Sequence, residues 1–329
     1  MTQPAASVVI VTYNGEDYLE RLLAAVETQE FDGDVEVLVI DSGSTDSTLE
    51  IVARHPNVAL HEIPNSEFGH GKTRDLAVRM THAPYIAFLT QDAVPLGEHW
   101  LGELLAPFAI SDRVALVTGR QYPRRRAFPL QRYDIIGTFR HQGPDSTTTL
   151  FGNAVRPLTE VEVSAATFHS DVNAAVRRDL ATSELPFRDV AYSEDQLMAQ
   201  EALALGHWRA YAGRAVVEHS NDLNFHEYGP RIFDETVGLR RLGFDFYRLG
   251  FGEIVFATFK GSLGDSFSIV RDKDYSIAEK FRWLFANPGY QWRRWSAMRK
   301  ASRVDLDDHA TLRSGSLEHR RKTKAKPSK

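Results

Sequence analysis

The sequence predicts an α/β fold: a mostly parallel, Rossmann-like sheet with helices on both faces and a helical extension at the C-terminal end. Three observations carry this. Short β-branched runs, residues 7–12 and 35–40 among them, read as buried strands. Each is followed by apolar residues at helical spacing, as Tyr18, Leu19, Leu22, Leu23 and Val26 follow the first. Three strand candidates end abruptly in a titratable residue, Asp41, Asp92 and His219. Strands alternating with helices argue for a parallel sheet. Ligands of such sheets gather beyond the carboxyl ends of the strands.

Taken in order, residues 7–12 form the first strand and Tyr13-Asn14-Gly15 turns out of it. The second strand, 35–40, runs into Asp41, and Ser42-Gly43-Ser44-Thr45-Asp46 offers hydroxyls to cap a helix reaching about residue 54. A third strand spans 58–63, and Gly69-His70-Gly71 opens a helix through Arg74 to Met80. The strand at 85–89 leads into Thr90-Gln91-Asp92-Ala93, then a helix near 100–108 and a strand near 114–118. Residues 120–163, with Arg124-Arg125-Arg126, several prolines and a threonine run, read as an irregular insertion or lid. Regular structure resumes at 173–177. Ser193-x-x-Gln196 predicts a capping box for a helix over 194–205. A strand at 215–218 ends in His219. From Phe225 the chain reads as helical, with Phe233, Val237, Leu242, Phe246 and Leu249 on one stripe, and further helices cover 251–270 and 275–300. The expected organisation is a catalytic domain over 1–224, a helical region over 225–304 and a polar, basic, disordered tail over 305–329.

Composition narrows the function classes. Of 329 residues, 43% are hydrophobic and 25% charged, which is ordinary globular usage. The formal charge of −5 gives no global basic field, so no nucleic-acid partner is expected. There is no cysteine, which excludes disulfides, thiolate catalysis and cysteine-held zinc. No signal peptide is visible at the N-terminus, and no apolar run reaches the ~18 residues of a transmembrane helix.

Parallel strands place Asp41, Asp92 and His219 on one sheet edge. A polar, partly acidic crevice of this kind suits a divalent cation and a phosphate-bearing ligand; oxygen donors favour Mg²⁺ or Mn²⁺, and one imidazole is acceptable to Mn²⁺. A nicotinamide-dependent oxidoreductase would need Gly-x-Gly-x-x-Gly after the first strand, where this chain has Tyr13-Asn14-Gly15-Glu16-Asp17. A sugar nucleotidyltransferase would carry a glycine-rich basic loop there, and none is present.

Ser7-Val-Val-Ile-Val-Thr-Tyr-Asn-Gly-Glu-Asp-Tyr18 together with Val39-Ile40-Asp41-Ser42-Gly43-Ser44-Thr45-Asp46 resembles the start of a family 2 glycosyltransferase of the GT-A fold. The resemblance continues through Gly71-Lys72-Thr73-Arg74-Asp75, Thr90-Gln91-Asp92-Ala93, Glu194-Asp195 and His219, over roughly residues 7–240. Phe68-Gly69-His70-Gly71-Lys72-Thr73-Arg74 and Thr90-Gln91-Asp92-Ala93 look most like bacterial rhamnosyltransferases that use dTDP-rhamnose. The resemblance implies that Asp41 accepts a pyrimidine N3–H, and that Thr12, Tyr13, Asn14 and Gln91 line the nucleotide. It implies that Arg74 and Arg231 hold phosphate oxygens, that Asp92 and His219 bind the metal, and that Asp195 is the catalytic base. The implied acceptor is a hydroxyl of a saccharide or polyprenyl-linked saccharide, and the implied location is the cytoplasm, at the inner face of the cell membrane.

Two departures stand out. Thr90 replaces the first aspartate of the usual Asp-x-Asp, and Asp75 stands where asparagine usually follows the arginine. Weaker metal binding, another UDP- or dTDP-sugar, or a non-catalytic nucleotide-sugar-binding relative therefore stay open as alternatives. Near the C-terminus, Trp283, Leu284, Phe285, Trp292, Trp295 and Met298 interleave with Arg282, Arg293, Arg294, Arg299 and Lys300. That pattern suits peripheral contact with an anionic membrane, and equally a helix packed on a core with a solvated basic face.

Overall fold

The structure, a computed structural model, describes residues 3–152, 159–190 and 192–324. The chain divides into two compact units, residues 1–124 with 135–220 and residues 125–134 with 221–329.

The first unit is built on nine strands: β1 (Ala6–Thr12), β2 (Val35–Asp41), β3 (Val58–Glu62), β4 (Tyr85–Thr90), β5 (Val94–Pro95), β6 (Val114–Tyr122), β7 (Thr148–Phe151), β8 (Asn173–Arg177) and β9 (Trp208–Glu218). They form one sheet ordered β3-β2-β1-β4-β8-β6-β9-β5, with β7 on β9. Strands β3, β2, β1 and β4 are parallel, as are β6 and β9; β8 lies antiparallel to both β4 and β6. Because β8 reverses once on each side, β9 points the same way as β4.

The alternation of side chains along a strand sorts the core into two layers. Val8 and Ile10 join Leu19, Leu22, Leu23 and Val26 of α1 (Leu19–Glu27), Ile51 and Val52 of α2 (Thr48–Ala53), and Trp100, Leu101 and Leu104 of α4 (Trp100–Leu105). Val9 points the other way, with Ala77 and Val78 of α3 (His70–Met80), and with Met198, Ala199 and Ala202 of α8 (Glu194–Ala204). Both faces are thus covered.

Three sequence expectations need correction here. The segment 120–163 is not irregular: β6 continues to Tyr122, α5 (Pro129–Gln142) starts with proline at its first position, β7 adds to the sheet edge, and α6 (Glu160–Thr167) is capped by Thr159 and Glu162. Its residues 153–158 lie outside the described residues. The predicted Ser193–Gln196 capping box is absent. Ser193 adopts φ 64, ψ 33, and its side chain caps nothing. The strand ending at His219 begins at Trp208, not at residue 215. A short helix α7 (Arg178–Ala181) follows β8.

In the second unit, α9 (Phe225–Arg241) starts at a capping box of Asn224 and Glu227. It stops before Leu242, because Gly243 takes φ 88 and ends the helix in the left-handed manner. Leu242, Phe246 and Leu249 are therefore not on its stripe. Two long helices follow, α10 (Phe251–Arg271) and α11 (Ile277–Arg303). The region expected to be a disordered tail carries α12 (His309–Gly315) and α13 (Leu317–Lys324), and Leu312 packs with Phe233, Val237, Ala301 and Val304. Residues 325–329 lie outside the described residues. Much of the interleaved aromatic–basic set of α11 is engaged within this unit. Arg294 pairs with Asp134 at 2.9 Å, Trp295 donates to Gln291 Oε1 at 3.0 Å, and Arg293 lies over the Phe225 ring at 4.1 Å. Among the described residues no helix is long and apolar enough to cross a membrane.

One close approach fixes how the segment before α8 docks on α3. A Cβ on Gly71 would stand 1.9 Å from the Arg188 carbonyl oxygen. Gly71→Ala is expected to displace that segment and cost about 1–3 kcal/mol, the usual scale for overpacking. A urea midpoint unchanged from the parent would show that the contact is not tight.

Candidate functional site

The edge at the carboxyl ends of the parallel strands is where the expected site residues of the first unit meet. Register aligns Thr12 with Asp41 and Val11 with Thr90, and on the far side Tyr122 with Glu218. Strand β8 runs the other way and pairs Leu89 with Asn173, so its beginning, not its end, lies at this edge. That reversal brings His169, Ser170 and Asp171 to the site.

The loops after β1 and β2 are stitched together through Asp41. Its carboxylate is fully buried and accepts four hydrogen bonds: from Thr12 Oγ1 (2.9 Å), Ser44 Oγ (2.5 Å), Gly43 N (2.9 Å) and Ser44 N (2.8 Å). Asn14, at φ 49, donates its N–H to Ser44 Oγ and accepts from Thr45 N, both at 2.8 Å. Gln91 grips the backbone of Tyr13 at both ends of its amide, accepting from Tyr13 N at 2.6 Å and donating to Tyr13 O at 3.1 Å. Thr12 and Gln91 thus hold the loop that the sequence places on the nucleotide, and the Asp41 carboxylate already has a donor for each of its four lone-pair directions.

Asp92 lies across the edge. Thr90 Oγ1 donates to its Oδ1 at 2.9 Å, so the threonine in place of the first aspartate orients the second. His219 Nε2 stands 3.4 Å from Asp92 Oδ2. On the other side of that ring, Nδ1 lies 2.8 Å from Gln121 Oε1, and the Gln121 amide nitrogen donates to Ser170 Oγ at 3.1 Å. An amide oxygen only accepts, so Nδ1 donates to Gln121, and Nε2 is the ring nitrogen turned toward Asp92. Arg124 donates to the Asp92 carbonyl, stands 3.7 Å from Oδ2 and stacks over Tyr18 at 3.7 Å. Burial pushes the Asp92 carboxyl up, but His219, Arg124 and the Thr90 hydroxyl outweigh it and hold the group well below the carboxylate range.

This pair fits half of a divalent-cation site. A carboxylate and an imidazole nitrogen face each other, and the imidazole is oriented from behind; a cation bound between them would take the place of a proton on Nε2. Among the described residues no third histidine or acid joins them, so a ligand would have to supply the remaining donors.

The third station is a buried cluster around Arg74. Its Nε lies 3.1 Å from Asp171 Oδ2 without hydrogen-bond alignment, its Nη1 donates to Glu194 Oε1, and all three side chains are buried. Asp195 follows Glu194 in the first turn of α8. It is only partly buried and, among the described residues, is not ion-paired; its oxygens accept from Gln196 N at 2.8 Å and Asp171 N at 3.4 Å. Three carboxyls thus share one guanidinium. Burial, with Glu194 and Asp171 adding to it, raises the Asp195 carboxyl well above its ordinary value against the pull of Arg74. Burial likewise pushes Asp171 up to about 7, opposed by Arg74 and helped by Glu194. His169 sits behind: its Nδ1 is 2.6 Å from Thr118 Oγ1 and its Nε2 3.6 Å from Asp171 Oδ1. Burial, with Arg209 and Arg74 nearby, pulls His169 down to about 3 and keeps it neutral.

The two expected phosphate ligands are both ion-paired. Arg74 is the counter-ion of this cluster. Arg231 belongs to the second unit, where its Nε donates to Glu235 one helical turn on at 2.8 Å. His169 and Asp171 are the residues of this cluster that the sequence motifs did not mark. Their signal was hidden because they precede β8, and only an antiparallel strand offers its beginning to this edge.

Comparison with known proteins agrees with this geometry. The profile described as Glycosyl transferase family 2 matches residues 7–179. The O-antigen chain rhamnosyltransferase RfbN of Salmonella typhimurium is 31% identical over 235 residues, covering 70% of this chain and 71% of that protein. The O-antigen chain rhamnosyltransferase WbaN of Salmonella anatum is 30% identical over 238 residues, covering 71% and 72%. Among solved structures, residues 1–349 of Staphylococcus aureus TarS superpose with a TM-score of 0.54 at 18% identity, covering 94% of this chain and 78% of that one. The mannosyltransferase PcManGT from Pyrobaculum calidifontis, in complex with GDP-Man and Mn²⁺, superposes with a TM-score of 0.53 at 18% identity, covering 98% and 84%. The structural likenesses establish the fold; with the profile match and the two relatives at 30% identity or above, the chain belongs to glycosyl transferase family 2 and has the GT-A fold.

Proposed function

We propose that this glycosyltransferase moves rhamnose from dTDP-rhamnose to a hydroxyl of a saccharide or lipid-linked saccharide, with inversion at the anomeric carbon, in the synthesis of a bacterial surface polysaccharide. Two relatives named as rhamnosyltransferases, each aligned over about 70% of this chain, support the donor. The observation that carries the mechanism is Asp195, a partly exposed carboxyl with no ion-pair partner among the described residues, at the edge that also holds Asp92 and His219.

In this reading the Asp195 carboxylate takes the proton of the acceptor hydroxyl as that oxygen attacks the anomeric carbon. The leaving nucleoside diphosphate departs from the opposite face, which is what inverts the centre. Asp92 and His219 would hold Mg²⁺ or Mn²⁺; when bound, the ion supplies positive charge to the departing diphosphate. A solved GT-A neighbour is in complex with Mn²⁺, which supports a divalent ion here. Tyr13 and Asn14 line the nucleoside, with Gln91 and Thr12 holding them in place. Asp41 reaches the base N3–H by exchanging one donor, and the Ser44 hydroxyl is the one that rotates away most easily.

Two assays test the donor and the metal. Turnover is expected with dTDP-rhamnose, lost on EDTA treatment and on Asp92→Ala. Turnover with UDP-glucose or UDP-galactose and none with dTDP-rhamnose would refute the donor. Full activity of Asp92→Ala would refute the metal ligand.

The charge cluster makes a separate prediction. A base must be ionised, so activity falls as pH drops through the raised Asp195 value. Arg74 is the cation that opposes this rise. Arg74→Gln should therefore move the acid limb of the kcat profile to higher pH, while Glu194→Gln, which removes a neighbouring negative charge, should move it lower. If Arg74→Gln leaves the limb in place and weakens nucleotide binding instead, Arg74 is a phosphate ligand.

A further inference from the structure

Between the buried Ile254 and Ile269, the inward side of helix α10 is polar. Against α11 it presents Gly261, Ser262 and Asp265. Asn287 Nδ2 donates to the Ser262 carbonyl at 3.2 Å, and Gln291 Nε2 donates to Asp265 at 2.7 Å. A Cβ on Gly261 would lie 2.6 Å from the Gln291 side chain. The opposite side is apolar and open: Phe256, Phe259, Leu263, Phe267 and Val270 recur three or four residues apart with Val255 beside them, Phe256 being 66% and Phe259 62% exposed. Helix α11 carries a second open stripe, Ile277, Phe281 and Phe285, the last 86% exposed. The stripes meet where Phe251 packs edge-on against Trp292 at 6.1 Å. A surface helix of a globular protein is arranged the other way round. At roughly 100 Å² of exposed area for each phenylalanine, the patch exceeds the few hundred Å² that a monomer usually shows.

The charges around the patch are sorted. Lys260, Arg271, Lys273 and Arg282 are exposed, and Arg271 lies over the Phe267 ring at 3.7 Å. Of the acids in the same segment, Asp272 and Asp274 are paired with Arg132 and Asp265 is held inward by Gln291, while Glu253 and Glu279 stand at the helix starts, bonded to Gly250 N and Ser276 N. What is offered outward is apolar surface edged by cations.

We infer that α10, with the open stripe of α11, is a docking surface for an anionic phospholipid bilayer. Phenyl rings enter the boundary between headgroups and acyl chains, and the lysine and arginine side chains reach back to lipid phosphates. A bilayer is favoured over a second copy of the chain by charge: Lys260, Arg271, Lys273 and Arg282 edge the patch, so two copies meeting there would set like charges against one another, whereas anionic headgroups complement them. This surface is largely distinct from the aromatic–basic set that the sequence suggested, several members of which are engaged within the unit.

Co-sedimentation of the full chain with phosphatidylglycerol–phosphatidylcholine vesicles tests this, with phosphatidylcholine vesicles as the comparison. The parent should bind the anionic vesicles, and more weakly at high salt. The double change Phe259→Ser with Leu263→Glu should lower partitioning at least about tenfold, and Lys260→Glu should lower it about fivefold on anionic vesicles only. Both sites are exposed, so thermal melts should match the parent. The inference is overturned if the parent binds neither vesicle, if the double variant binds as the parent does, or if light scattering shows a dimer that the double variant abolishes, since the patch then joins two copies.

Discussion

Much of the candidate site depends on one guanidinium. Arg74 is buried with Asp171 and Glu194 against it and Asp195 close by. Burying two carboxyls with a third beside them at the mouth of a sheet is unfavourable unless a cation is held among them, and removing one partner of such a cluster leaves the others uncompensated. The backbone is shaped around the same point. Ser193 takes a left-handed conformation just before Glu194, a geometry that typically costs on the order of 1 kcal/mol for a residue other than glycine. It sits where Glu194 turns inward to the guanidinium while the next carboxyl stays partly exposed.

The reversal of β8 is what assembles this. Were β8 parallel to its neighbours, His169 and Asp171 would lie at the opposite edge and Arg74 would have lost one of its two ion-pair partners. The same reversal lets β6 and β9 run parallel to β4, so that His219 comes within 3.4 Å of Asp92 across the edge. One antiparallel strand therefore links the metal-type pair to the acid cluster, and Gln121 joins them physically, bonded to His219 on one side and to Ser170 on the other.

The parts legible in the sequence are those governed by local pattern. The strands ending at Asp41 and just before Asp92 and the helix at 19–27 follow from short apolar runs and helical periodicity. Register and strand direction are not local, so the partners of Arg74 were out of reach. Asp41, read as a ligand for a base, turns out to be saturated by four donors from its own loops, a detail that a turn sequence rich in serine and glycine hints at but does not decide. The capping box at Ser193 failed because the backbone there serves the charge cluster. In α11, interleaved tryptophan and arginine could not be sorted into inner and outer faces until the neighbours were known. On α10 the polar and apolar sides of the helix are clear, but the sequence does not say that the polar side is the inner one.

The most direct test of the account is a comparison of two adjacent carboxyls. The proposed base is Asp195, while Glu194 is held by Arg74. Asp195→Asn keeps the size of the side chain and removes its charge. Its kcat for transfer should fall by roughly 10²–10⁴-fold, the scale of a lost general base, with nucleotide affinity close to the parent's. Glu194→Gln at its own pH optimum should lose less. If Asp195→Asn turns over like the parent while Glu194→Gln is inactive, the roles of the two acids are reversed and the central claim is wrong.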